Sequence, residues 1–193
     1  MRVLPVLVAA FLLGGCANTQ LKTYPGPAFT DTYRIGRVLV IAKMPPDERE
    51  AVESSIVGQF RSVGVDAVRS LDAMPDVTSR IDWQAIGPGQ EEARRIGADS
   101  VLLLGGLYAD SSFGTAYMPL SSPGGTTLIP TIAEHRKKRF AARLYDLSGN
   151  PAVWTANGES MDNWTVSSSI FGAYVAEAVV SQLTKEGLLG KRS

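Results

Sequence analysis

Few residues in this 193-residue chain are of types that carry chemistry by themselves. The chain has one cysteine, Cys16, and one histidine, His135, whereas a metal site needs several such ligands together. The sequence therefore predicts no metal and no cofactor. It also lacks the nucleophile elbow, the Walker loop and the zinc-protease helix motif. We therefore expect a protein that binds rather than catalyses.

Four carboxylates near the ends of predicted strands are the remaining candidates for acid–base chemistry: Asp110, Asp146, Glu159 and Asp162. Carboxylates in such positions are mostly solvated, so we assign no catalytic residue. A hydrolase that uses two of these carboxylates stays open as the alternative.

The N-terminal residues have the composition of an export signal. Arg2 precedes an apolar run from Val3 to Leu13, and polar residues begin at Asn18, soon after Cys16. The run is too short to cross a bilayer as a helix, which takes about 20 residues. The segment therefore indicates a signal and not a lasting membrane span.

The residues Leu13-Gly14-Gly15-Cys16 resemble the lipobox of bacterial lipoproteins. The resemblance implies that Cys16 is acylated and that residues 1–15 are removed as a signal peptide. An ordinary cleaved signal that leaves a free thiol is the alternative. Two or three acyl chains would hold the protein on a membrane essentially permanently, because each buried methylene contributes about 0.8 kcal/mol.

The residue after Cys16 bears on the membrane concerned. It is Ala17, whereas lipoproteins retained at the inner membrane of enteric bacteria often carry aspartate there. We therefore expect an outer-membrane anchor and a domain that faces the periplasm. With this location and a balance of 19 basic against 19 acidic residues, a nucleic-acid partner is not expected.

The apolar pattern beyond the anchor predicts an α/β (α+β) sandwich with one mixed sheet of about five strands and helices packed on it. The predicted order is β-α-β-α-β-β-β-α. Strands are expected at 38–42, 65–68, 100–108, 139–147 and 152–159, and helices at about 46–63 and 90–96. Ser167 to Ser169 can cap a last helix that ends before Gly187. The last helix is predicted to bury a broad apolar face made of Ile170, Phe171, Tyr174, Val175 and Ala178.

These elements predict a single domain over residues 37–187, after a lipidated tether at 16–36 and before a tail at 188–193. Pro25 and Pro27 interrupt the tether. Its aromatic residues Phe29 and Tyr33 either pack on the edge of the domain or bind a partner.

An insert at residues 110–135 follows the third predicted strand and is rich in Ser, Gly, Thr and Pro. Residues 122–125 are a good turn centre, and Gly105 and Gly106 before the insert permit a bulge. The insert is predicted to be either a mobile loop or an ordered hairpin for contact with a partner or a second copy. The contact residues expected there are Phe113, Tyr117, Met118, Leu128 and Ile129.

The densest charge run of the chain follows this insert and consists of Arg136, Lys137, Lys138 and Arg139. One interpretation is contact with an anionic surface. The other is a polar strand entry that protects a sheet edge from aggregation. His135 beside this run is expected to be solvated.

The phrases at residues 37–41, 93–99 and 144–150, with Val153-Trp154 after them, resemble a broad group of envelope lipoproteins. This group contains curli-secretion-channel lipoproteins, the Pel polysaccharide-export lipoprotein, penicillin-binding-protein activators and the N-terminal domain of the Tol translocation protein. The resemblance covers roughly residues 36–187. It implies a non-catalytic module that assembles into rings or docks on other proteins.

These observations together predict an assembly or accessory module in envelope biogenesis or export. Its expected partners are a membrane, through the lipid, and either another envelope protein or further copies of itself. The alternative is a domain that binds, or hydrolyses, peptidoglycan or another polysaccharide.

Overall fold

The computed structural model describes residues 19–26, 29–30, 33–75, 86–122, 125–147, 152–163 and 167–189. Six strands form one sheet: β1 Thr19–Pro25, β2 Arg37–Lys43, β3 Asp66–Arg69, β4 Ser100–Ser122, β5 Gly125–Asp146 and β6 Ala152–Asn163. Four helices accompany it: α1 Pro46–Ser62, α2 Ser70–Ala73, α3 Gly87–Arg95 and α4 Ser168–Lys185. None of the helices within these ranges is both long and apolar enough to cross a bilayer.

The strands lie in the order β1-β6-β5-β4-β2-β3. β2 is parallel to β3 and β4, and every other neighbouring pair is antiparallel. The predicted class, a mixed sheet with helices packed on it, is confirmed. The predicted order also recurs, with a strand, β1, added at its start and a short helix, α2, added after β3.

β1 lies where the sequence analysis placed a tether, and here the structure differs from the prediction. Its residues pair with β6 from Thr19 opposite Ser160 to Pro25 opposite Trp154. Only Leu21 of this strand packs against the core, so β1 lacks the apolar run that marks the central strands. The prediction missed it because an edge strand with one inward apolar side chain has the composition of a loop.

The residues after β1 also belong to the domain. Tyr33 and Ile35 are buried, and Phe29 packs against the core, as expected if these residues lie on the domain edge. At the other end of the chain, Leu188 is fully buried and Leu189 forms a bridge with Ile35. The folded domain therefore extends beyond both predicted boundaries, residues 37 and 187.

Two apolar clusters hold helices on the two faces of the sheet. The larger joins α1 and α4 to one face and contains Val40, Leu104, Phe140 and Trp154. The smaller includes Leu39, Ile41 and Leu103 of the other face, together with Ala93 of α3. β2 and the first part of β4 are covered on both faces, so their sequences are continuously apolar at 38–42 and 101–104, as the pattern predicted.

A buried carboxylate ties α1 to its surroundings. Glu53 is fully buried and its oxygens accept hydrogen bonds from the Arg49 guanidinium at 3.1 Å and the Ser70 hydroxyl at 2.6 Å. They also accept from the backbone N–H groups of Ala42, at 3.0 Å, and Leu71, at 2.9 Å. A carboxylate satisfied in this way fixes α1 against β2 and α2.

The buried face of α4 differs in part from the predicted one. Phe171 and Val175 are buried as expected, but Ile170 is 42% exposed. The helix is rotated so that Gly172 faces α1, where an added Cβ would lie only 2.6 Å from the carbonyl oxygen of Ala51. This close approach of the two helices moves Ile170 out of the core.

The Phe140 ring depends on the absence of a side chain across the sheet. Phe140 is buried and lies opposite Gly158, where an added Cβ would overlap the ring. We expect Gly158→Ala to lower the free energy of unfolding by about 1–3 kcal/mol, the cost of overpacking a core. Urea denaturation followed by circular dichroism measures this change.

Gly58 provides the matched control, because it lies inside α1 and an added Cβ would meet nothing within 4 Å. Gly58→Ala should raise the free energy of unfolding by about 0.5–1 kcal/mol through helix propensity. Equal stability of Gly158→Ala and the wild type would contradict the packing described for Phe140.

Candidate functional site

The insert at 110–135 is an ordered hairpin formed by the extension of β4 and β5. β6 pairs with β5 as far as His135 opposite Asn163, and beyond that row β4 and β5 pair only with each other. Their ladder continues to Ser122 opposite Gly125. The hairpin interpretation is confirmed. Pro123 and Gly124 of the predicted turn lie outside the described residues.

A bulge marks the start of the hairpin. The register of β4 against β5 shifts between Gly106 and Tyr108, next to the glycine pair from which a bulge was expected. A bulge bends its strand and increases the local twist. It therefore influences the direction in which the hairpin leaves the sheet.

Residues 114–133, which we call the distal hairpin, contain no charged residue and expose large apolar side chains on both faces. Met118 lies opposite Ile129 on one face, and Leu120 follows Met118 there. Tyr117 and Leu128 lie on the other face. The exposed fraction is 65% for Tyr117, 62% for Leu128, 56% for Met118, 54% for Leu120 and 43% for Ile129.

Four of the five predicted contact residues are thus brought together: Tyr117, Met118, Leu128 and Ile129. The fifth, Phe113, pairs through its backbone with Glu134, and its side chain lies outside the described part. Leu120 is exposed beside them but was not among the predicted residues. Its spacing of two from Met118 would have placed it on the same face once the segment was known to be a strand.

The basic run at 136–139 lies in β5 between strands that carry acidic residues. Lys137 pairs with Glu159 of β6 at 3.1 Å, and Arg139 pairs with the same carboxylate at 3.3 Å. Lys138 points to the other face, where its ammonium lies 2.9 Å from Glu48 of α1 and 4.7 Å from the centre of the Phe171 ring. The Arg136 side chain lies outside the described part.

These contacts make the hairpin base, which we define as Lys137, Lys138, Arg139, Glu48 and Glu159, a set of paired charges. β5 lies between β4 and β6 at these residues, so the run does not protect a sheet edge as one interpretation held, and contact with an anionic surface stays a prediction. The ion pairs are partly exposed, so each contributes little to the free energy of unfolding. Their main effect is to connect β5 to β6 and to α1.

The carboxylates considered for catalysis are not all gathered in one place. Asp146 lies opposite Ser100, and Glu159 lies opposite Arg139, seven residues away along β5. That spacing corresponds to about 24 Å along a strand. The side chains of Asp110 and Asp162 lie outside the described part. Within the described residues, no group of three or more His, Cys, Asp or Glu side chains could hold a metal ion.

Comparisons with known proteins give a likeness in fold. No family model matches the chain, and no curated protein matches it. Among solved structures, the PelC dodecamer from Paraburkholderia phytofirmans superposes with a TM-score of 0.50 at 16% identity, covering 90% of this chain and 99% of that one. Lipoprotein GNA1162 from Neisseria meningitidis gives a TM-score of 0.45 at 15% identity, covering 78% of this chain and 99% of that one.

The chain shares the fold of PelC. The sequence resembles a group of envelope lipoproteins that includes the Pel polysaccharide-export lipoprotein. The fold expected from that resemblance is confirmed. The insert lies between the buried segments of β4 and β5 and is formed by the extension of these two strands.

The two cations of β5 lower the pKa of Glu159 from its ordinary value, Lys137 first and Arg139 second. We expect Lys137→Met to raise this pKa toward its ordinary value, and Arg139→Met to raise it by a smaller amount. An NMR titration of the Glu159 carboxyl carbon measures both shifts.

The lowered pKa of Glu159 determines how this residue changes the stability of the fold with pH. The charged form of Glu159 is favoured in the folded state, so its contribution is complete above the unfolded-state pKa and is lost as pH falls through the folded-state pKa. An unchanged Glu159 pKa in both variants would mean that the two ion pairs do not persist in solution.

Proposed function

We propose that this protein is an outer-membrane lipoprotein, anchored through Cys16, that serves as a non-catalytic assembly or accessory module in envelope biogenesis or export. The observation that carries the proposal is the uncharged hairpin with apolar side chains on both faces. It projects from a domain with the PelC fold.

The position of β1 supports the anchoring part of the proposal. Cys16 precedes Thr19 by three residues, and three residues of extended chain span at most about 11 Å. Thr19 is held in the sheet by its pairing with Ser160, and its hydroxyl donates a hydrogen bond of 3.2 Å to the Ser160 hydroxyl. An acyl group on Cys16 would therefore hold the sheet itself close to the membrane.

The distribution of exposed apolar side chains supports binding as the activity. Eight large apolar side chains are exposed in the described part of the chain, and five of them lie on the distal hairpin. Apolar surface gathered in this way marks an interaction site, whereas single exposed apolar residues are ordinary. The hairpin is therefore the contact element of the proposed module.

Self-association is the second part of the proposal. The PelC structure from Paraburkholderia phytofirmans is a dodecamer. By analogy of fold we infer that this domain also assembles from several copies, a common role of accessory proteins around an export route.

Mass spectrometry of the N-terminal peptide tests the anchor. The mature protein should begin at Cys16 and carry the mass of two or three acyl chains, and Cys16→Ser should accumulate with residues 1–15 still attached. An unmodified thiol on a mature chain would contradict the anchor. It would favour the ordinary cleaved signal instead.

Light scattering of the chain from residue 16 onward, with Cys16→Ser to remove the acyl group, tests self-association. This chain keeps every described residue. We expect a mass of several copies at micromolar concentration. A strict monomer over the whole concentration range would rule out assembly by the domain alone.

A further inference from the structure

The end of the sheet from which the hairpin projects is also the end at which β1 begins. Thr19 pairs with Ser160, Ser160 with Lys138, and Lys138 with Ala109, so these four residues form one row across the sheet. β1 runs away from this row in one direction, and β4 continues from it into the hairpin in the other. The attachment point of Cys16 and the hairpin therefore share one end of the domain.

Distances along the strands place the uncharged region relative to that row. Gly114, where the distal hairpin begins, lies five residues beyond Ala109, or about 17 Å along a strand. Ser122, near the tip, lies thirteen residues beyond it, or about 44 Å if the hairpin is straight. Cys16 can reach about 11 Å from Thr19. Charged residues thus give way to uncharged ones just beyond the level that Cys16 can reach.

We propose that the distal hairpin docks into the lipid surface of the membrane in which Cys16 is anchored. This inference rests on the proposed function for the anchor and names the partner of its contact element. The hairpin lies along the boundary between headgroups and acyl chains, because a straight hairpin pointed into the bilayer would place its tip about 33 Å beyond the level that Cys16 can reach. The same end of the sheet supplies both attachments.

Two observations favour lipid over a second copy of the chain. Apolar side chains lie on both faces of the ribbon. A protein surface would cover one face and leave the other in water, whereas a ribbon that lies along the headgroup boundary has acyl chains against one face and headgroups against the other. Pro119 and Pro130 stand one on each strand, and a proline has no N–H to give to an incoming strand. Edge-to-edge pairing with another hairpin is therefore hindered along both strands.

The backbone fixes the depth. The outer N–H and C=O groups of a lone two-stranded ribbon have no partner in the hairpin, and leaving them unpaired in hydrocarbon costs several kcal/mol each. At the headgroup boundary, water and phosphate satisfy these groups and the hydroxyls of Thr126 and Thr127. Tyr117 suits the same depth because it has an apolar ring and a polar tip.

Vesicle sedimentation tests the proposal. The chain from residue 16 with Cys16→Ser carries no acyl group, so its binding reports on the hairpin alone. We expect it to sediment with pure phosphatidylcholine vesicles, and to do so equally in 0.1 M and 0.5 M NaCl, because the distal hairpin carries no charge to be screened.

Two double variants complete the test. Met118→Glu with Leu128→Glu places one charge on each face of the hairpin and should lower the vesicle partition coefficient by about tenfold or more. Ser62→Glu with Val63→Glu adds the same charge at the C-terminal end of α1, where both side chains are exposed. This control variant should have the same vesicle partition coefficient as the unmodified hairpin. Thermal unfolding of each variant checks that the domain stays folded.

Three other outcomes would overturn the proposal. Binding only to vesicles with anionic lipid, lost in 0.5 M NaCl, would assign the contact to the basic residues of the hairpin base. Equal binding by both double variants would remove the hairpin from the contact. No vesicle binding, with self-association abolished by the hairpin variant, would assign the hairpin to a second copy. None of these results depends on whether Cys16 is acylated in cells, so they remain separate from the test of the anchor.

Discussion

The antiparallel ladder between β4 and β5 is the interaction on which both the domain and its hairpin depend. One pair of strands, with a bulge between Gly106 and Tyr108, runs from the centre of the sheet, where both strands are buried, to a tip beyond the other strands. An isolated hairpin is only marginally stable in water. This one is held at its root by β6 and β2 on either side and by the packed Phe140 ring, so the order of the core extends into the projecting part.

The hairpin base separates these two regions chemically. On the core side of these residues, apolar side chains of the sheet pack against helices. On the tip side, the apolar side chains of the distal hairpin are exposed. Between them lie the paired charges of Lys137, Lys138 and Arg139, matched by Glu48 and Glu159. These ion pairs connect β5 to β6 and to α1.

The amino-acid sequence was sufficient to predict what depends on strong local patterns. The continuous apolar run of β2, the helix after Pro46 and the last helix all recur in the structure close to their predicted positions. The strand β1 could not be found in this way, because its stability comes from the free edge of β6 and not from its own side chains. The exposure of Ile170 likewise follows from the close approach of α4 to α1, which no local pattern encodes.

The apolar residues expected to make contacts in the hairpin were predicted from composition. Their arrangement on two faces could be described only once the register of β4 against β5 was known. The bulge between Gly106 and Tyr108 explains why. Side chains alternate along a strand, and one extra residue reverses the phase of that alternation relative to β5. The alternation of side chains in the projecting segment of β4 is therefore shifted by one residue from that in its buried segment. The sequences of the two segments can vary independently. Insertion or removal of matched residue pairs beyond the bulge would change the reach of the hairpin while each core side chain kept its side of the sheet.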